Sequence, residues 1–85
     1  MYFVYLLVND DKRTYTEYTS DLKQRLRDHN AGKSAYTKGE KWHLVYYEAY
    51  VSKKDAVRRE RRLKDGRARR QLRHRISNSL QTFVG

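Results

Sequence analysis

Residues 2–8, YFVYLLV, are apolar on both alternating faces, which predicts a central strand covered on both sides. Asn9-Asp10-Asp11 follows, and Asn and Asp tolerate the left-handed backbone of a tight turn. Residues 13–18, RTYTEY, alternate and are rich in β-formers, so the two runs read as a hairpin. The period then lengthens. Leu22 and Leu26 make the apolar stripe of a helix that Ser20 caps, with Asp21 favourable in its first turn and Gly32 as its stop. Residues 33–42 form a polar loop, and HLVYYEAYV at 43–51 reads as a third strand. Ser52 and Asp55 resemble a capping box and open a helix to about Lys64. Asp65-Gly66 interrupts it, and Ala68, Leu72, Ile76 and Leu80, four residues apart, mark one further helix. The predicted order is β-β-α-β-α-α.

Composition bounds this picture. The 85 residues have room for one domain with a modest core, and eleven aromatics argue for a packed fold despite only 38% hydrophobic residues. Cysteine is absent, which removes disulfides and thiolate metal sites and fits a cytoplasmic protein. No apolar run approaches the ~20 residues that span a bilayer, so no membrane association is expected. Charge adds more. Residues 1–52 carry eight basic and seven acidic side chains, a balance of +1; residues 53–75 carry twelve and three, a balance of +9. A block this basic suits a polyanion, with binding that weakens as salt rises. A solvated helical face is the alternative; an interfacial helix would need more large apolar residues.

Four kinds of side chain could do chemistry here. Arg25 and His29 stand at i and i+4, three residues after Leu22 and Leu26, and so border the core stripe where they could face a cleft or solvent. Glu60 takes an inner position among Ala56, Val57 and Leu63, between arginines 58, 59, 61 and 62. A half-buried carboxylate is costly unless paired or bound to a cation, so Glu60 is either salt-bridged to one of those arginines or a ligand for Mg²⁺. Tyr5 and Tyr15 share a sheet face only if the hairpin register sums to an even number. Pairing Tyr5 with Tyr15 and Leu7 with Arg13 meets that condition and leaves a three-residue loop at 9–11.

FVY at 3–5, YTE at 15–17, Arg25, His29 and Glu60, supported by YTSDLKQRLRDHNAGK, LVYYEAY and RRERRLKDG, make the chain resemble the GIY-YIG nuclease superfamily, over about residues 2–76. Within it, the chain is similar to small stand-alone prokaryotic members. The resemblance implies an α+β fold, a three-stranded antiparallel sheet flanked by helices, with residues 1–85 as one nuclease domain. It implies a metal-dependent endonuclease that hydrolyses DNA phosphodiesters. Tyr5, Tyr15, Arg25, His29 and Glu60 would form the catalytic cleft, Glu60 holding one divalent ion, Mg²⁺ or Mn²⁺. Arg25 would stabilise the phosphate, and a phenol would help to deprotonate water once nearby cations had depressed its pKa. Nucleic acid, above all DNA, is the expected partner, contacted by Lys33, Lys38, Arg59, Arg62, Lys64, Arg67 and Arg70. The chain departs from the pattern at Glu17, where the family motif has glycine. By alternation Glu17 lies on the face of Tyr15, where it could fill the phosphate site, act as a second metal ligand or pair with Arg25. A domain that binds nucleic acid with little or no cleavage is therefore the rival reading.

Overall fold

The computed structural model describes residues 1–82. Strands β1 (Tyr2–Asn9), β2 (Thr14–Thr19) and β3 (Trp42–Tyr50) form one antiparallel sheet in the order β2-β1-β3. Helices α1 (Leu22–Asn30), α2 (Lys53–Leu63), α3 (Gly66–Arg75) and α4 (Ser77–Thr82) complete the chain. The two-sided apolar run is indeed the central strand, and Val4 through Asn9 are all buried. Alternation splits its side chains between two packed layers. Val4 and Leu6 meet Ala56, Leu63 and Leu72 of α2 and α3, while Tyr5 and Leu7 join Trp42 against Leu22 and Leu26 of α1.

The hairpin loop has the expected length but lies one residue later, at 10–12. Asn9 stays in the strand because its side chain does the work of the turn. Its Oδ1 accepts from the amides of Asp11 (3.0 Å) and Arg13 (2.9 Å), and its own amide pairs with the Arg13 carbonyl at 3.0 Å. Lys12, at φ 66°, takes the left-handed position that glycine usually fills. Tyr5 therefore opposes Glu17, and Leu7 opposes Tyr15, in place of the Tyr5–Tyr15 pairing that a loop at 9–11 would give. The sum of paired numbers rises by two, so its parity is unchanged and Tyr5, Tyr15 and Glu17 share the α1 face.

Helix boundaries moved for local reasons. Asp21, not Ser20, caps α1, its carboxylate accepting from the Gln24 amide at 3.1 Å. Ser52 caps α2 without a side-chain hydrogen bond, and Asp55 lies 3.6 Å from Arg58, so the capping box does not form. The last predicted helix is two. Ile76 breaks it at φ −108°, ψ 27°, yet Ile76 still bonds back to Leu72 and Leu80 to Ile76, which keeps the four-residue apolar spacing intact across the break. Trp42, expected in the loop, opens β3 and buries its ring in the α1 layer.

Candidate active site

Glu17 stands on edge strand β2, directly across from Tyr5 on β1 and two residues after Tyr15 on its own face. Arg25 reaches it from the second turn of α1. The result is a carboxylate held on all sides. Oε1 accepts from the Tyr5 hydroxyl at 2.6 Å and from Arg25 Nε at 2.6 Å; Oε2 accepts from the Tyr15 hydroxyl at 2.8 Å and from Arg25 Nη2 at 3.1 Å. The guanidinium contact is the two-pronged fork that also recognises phosphate. Of the open possibilities for Glu17, the structure shows pairing with Arg25 inside the expected cluster.

Behind this carboxylate lies a chain of buried groups. His29, on α1 and wholly buried, places Nε2 at 2.7 Å from the Tyr5 hydroxyl and Nδ1 at 2.7 Å from the Thr37 hydroxyl. The proton count orders the chain. Tyr5 has one proton, and an ionised carboxylate can only accept, so Tyr5 donates to Glu17. His29 Nε2 must then carry the proton shared with the Tyr5 oxygen. In a neutral ring Nδ1 is an acceptor, and Thr37 donates to it. The relay thus points Thr37 to His29 to Tyr5 to Glu17. Trp42 pins its far end, donating from Nε1 to the Thr37 carbonyl at 3.0 Å.

These contacts set the charge states. Burial alone would raise the Glu17 pKa, but hydrogen bonds from Arg25, Tyr5 and Tyr15 outweigh it and hold the carboxyl below its usual range. Burial and the Arg25 charge keep His29 neutral. Both phenols move the other way from the expectation that cations would depress them. Burial and the bond to Glu17 push Tyr15 up to about 12, and Tyr5 is raised further; the opposing pull of Arg25 is smaller. With Glu17 in place, neither phenol is a base at neutral pH.

Glu60 lies on α2 beside this cluster. Its side chain is 14% exposed, and its negative charge acts on the Tyr15 phenol. Its ion-pair partner is Lys64, at 3.3 Å, one turn on, and not one of the flanking arginines. Among the expected phosphate contacts, Arg59 is taken: its fork grips Glu48 at 2.9–3.0 Å on the opposite face of the sheet. Arg62 lines a shallow cavity with Arg58 and Arg59, away from Tyr15. Lys33, Lys38, Arg67 and Arg70 are exposed, and none lines the cleft beside Tyr15; Lys64 does. Arg69 also lines it, and so does Tyr36. Sequence reasoning passed over Arg69 and Thr37. Arg69 follows Ala68 on the flank of the buried stripe, a signal that a helical wheel could have supplied. Thr37 lies in an irregular loop with no periodicity to mark it.

A family model described as the GIY-YIG catalytic domain matches residues 1–74. The chain belongs to the GIY-YIG family. The matched span holds the whole cluster, Glu60 included, and the family is nuclease-like and directed at nucleic acid. A UPF0213 protein of Streptococcus pyogenes is 45% identical over 71 residues, covering 81% of this chain and 77% of its own. A UPF0213 protein of Haloquadratum walsbyi is 38% identical over 65 residues, covering 74% and 73%. A UPF0213 protein of Bacillus halodurans, solved by NMR in solution, matches at 38% identity with a TM-score of 0.54, over 85% of this chain and 82% of that one. In this GIY-YIG chain no described helix is long and apolar enough to cross a membrane.

Proposed function

We propose that residues 1–85 are one GIY-YIG domain that hydrolyses DNA phosphodiester bonds with a divalent metal ion, and that its phosphate seat is held at rest by Glu17. One observation carries this reading. Arg25, Tyr5 and Tyr15 converge on a single pair of oxygens, and a fork plus two hydroxyls is the donor set a phosphodiester asks for. The Glu17 carboxylate marks where phosphate oxygens would sit.

Glu60 suits the metal. Among the described residues no three of His, Cys, Asp and Glu gather into a cluster, and Mg²⁺ commonly takes one or two carboxylates, waters and substrate phosphate oxygens. A bound ion there would lower the pKa of water and screen the leaving oxygen. The chain's own residues do the rest. Once a phosphate displaces Glu17, Arg25 neutralises the growing charge. The Tyr5 and Tyr15 hydroxyls donate to the phosphate oxygens in place of the carboxylate, and His29, still donating from Nε2 and accepting from Thr37 at Nδ1, holds the Tyr5 oxygen in position.

A second reading rests on the same four hydrogen bonds. If Glu17 is never displaced, the protein binds nucleic acid without cutting it. Incubating purified protein with single- and double-stranded DNA and Mg²⁺ or Mn²⁺ separates the two. Products that vanish with Glu60→Ala support the hydrolase. Salt-dependent binding without products at any metal concentration, together with cleavage gained in Glu17→Gly, supports the plugged site.

A further inference from the structure

Beside the phosphate seat lies a cleft of about 300 Å³, walled by Tyr15, Thr16, Tyr36, Leu63, Lys64 and Arg69 among others. It shares one wall with the seat: the Tyr15 hydroxyl binds Glu17, while the Tyr15 ring faces the cleft. Tyr36 leans on that ring, centroids 5.5 Å apart and planes 34° apart, and is nevertheless 82% exposed. An exposed tyrosine is ordinary by itself. This one is fixed in place. Ser34 and Thr37 on either side of it are buried, and Thr37 is bonded through its hydroxyl to His29 and through its carbonyl to Trp42. The backbone is pinned, and the ring is left outside.

The other walls are cationic. Lys64 caps the C-terminus of α2, pairs with Glu60 at 3.3 Å and lines the cleft. Arg69 is exposed on α3 and shares a helical face with Arg73, whose Nη1 donates to the Thr14 hydroxyl at 3.4 Å. That contact brings the Arg73 end of this face to Thr14, at the start of β2.

We propose that this cleft is a nucleotide subsite next to the scissile phosphate, in which Tyr36 stacks a nucleobase and Arg69, with Lys64, holds the adjoining phosphate. Every base offers a π-face, so the platform accepts any base and imposes little sequence preference. A base must leave its own stack to reach Tyr36, so an unpaired nucleotide fits and one locked in a duplex does not. This rests on the proposed phosphodiesterase and names how its substrate strand is held.

Binding measured without metal, in chelator, keeps the test apart from cleavage. The probes are a fluorescent oligothymidine strand and the same strand carrying abasic residues. Tyr36→Ala should weaken binding of the normal strand about tenfold. Tyr36→Leu, which keeps apolar bulk without an aromatic face, should do the same, and Tyr36→Phe should not. On the abasic strand Tyr36→Ala should match the wild type. Arg69→Ala should lower the slope of log affinity against log salt by about 0.7, the value for one phosphate of a single strand. Wild-type affinity in Tyr36→Ala, or an equal loss on the abasic strand, overturns the stacking platform. An unchanged salt slope in Arg69→Ala overturns the phosphate contact. Tight binding and cleavage with an inert Tyr36 sink the subsite alone; no binding to any strand at low salt sinks the phosphodiesterase reading with it.

Discussion

Two glutamates sit on opposite faces of one sheet in nearly the same company. Glu17 on β2 accepts from two phenols, Tyr5 and Tyr15, and from the fork of Arg25 on α1. Glu48 on β3 accepts from Tyr46 at 2.5 Å, from Tyr50, and from the fork of Arg59 on α2. In both, burial is outweighed by hydrogen bonds, and the carboxyl is held below its usual range. Local chemistry therefore does not distinguish a candidate active site from a structural clasp. Connection does. Both phenols of Glu48 come from its own strand, at i−2 and i+2, so that centre ties β3 to α2. Glu17 draws on β1, β2 and α1, has the His29–Thr37 relay behind it, and opens through Tyr15 onto a cationic cleft.

Breaking the two centres in parallel should give opposite readouts. A phosphate entering the Glu17 seat must first displace four charge-assisted hydrogen bonds. At ~1.5–3 kcal/mol each they are not fully lost, because phosphate remakes them, but a barrier of a few kcal/mol remains. Glu17→Gly should therefore raise Mg²⁺-dependent cleavage on the order of 10–1000-fold, read as initial rates on a labelled DNA substrate. Glu48→Gln should leave that rate unchanged. A rate that moves equally with both substitutions would mean that Glu17 acts through stability alone.

Stability should respond alike at the two centres. Glu48→Gln turns an acceptor-only group into one with two donors facing Arg59 and two phenols, and should cost about 1–3 kcal/mol in urea unfolding. Glu17→Gln should cost a similar amount. Their acid responses differ in onset. Each carboxyl has a folded pKa below 4.5, so its contribution is present above 4.5 and is lost as pH falls through the folded value. His29 adds an earlier step to the Glu17 centre. Its folded pKa lies below 6.5, so below 6.5 the unfolded chain takes up a proton that folded His29 refuses, and stability drops as pH falls. Thermal melts taken downward from above pH 6.5 should show this early decline in the wild type and in Glu48→Gln. In His29→Gln it should be reduced, whatever the variant's starting stability.

How much of this the sequence exposed depends on whether the information is local. Shared placement of Tyr15 and Glu17 on one face was legible by alternation, and Tyr5 joins them because the observed pairing sum is even. The register itself was not, because it turns on the buried Asn9 amide completing the turn. A cationic partner for Glu48 was legible in kind, but four arginines crowd α2, and only the packing of β3 on α2 selects Arg59. Five of the seven expected phosphate contacts lie in the basic block at 53–75, and charge density cannot say which flank of a helix meets the cleft. Arg59 is spent on Glu48, and Arg69 faces Tyr15. Tyr36 and Thr37 sit in a loop without period, and their places depend on contacts with other elements, Thr37 with His29 and Trp42 and Tyr36 with Tyr15. The gathering of Arg25 with Glu17 was stated as one option among three, since i, i+4 spacing fixes a helical face but not what lies across from it.

The smallest effect tests the relay that the Glu48 centre lacks. In the wild type Tyr5 gives its proton to Glu17, so His29 carries its proton on Nε2 and accepts from Thr37 on Nδ1. Thr37→Val leaves Nδ1 a buried acceptor without a donor and should cost ~1 kcal/mol, while Thr37→Ser should restore most of that. Neither should move the proton, because Tyr5 and Glu17 still fix Nε2 as the donor. Glu17→Gly should move it. Tyr5 then has no carboxylate to bond and can donate to Nε2, which turns Nδ1 into the donor and Thr37 into its acceptor. Nitrogen NMR of the His29 ring reads the tautomer directly. An Nδ1-protonated ring in Glu17→Gly, reverting when Thr37→Val removes its acceptor, would establish that Glu17 sets the direction of the relay. An Nε2-protonated ring in both backgrounds would mean that the direction is set elsewhere.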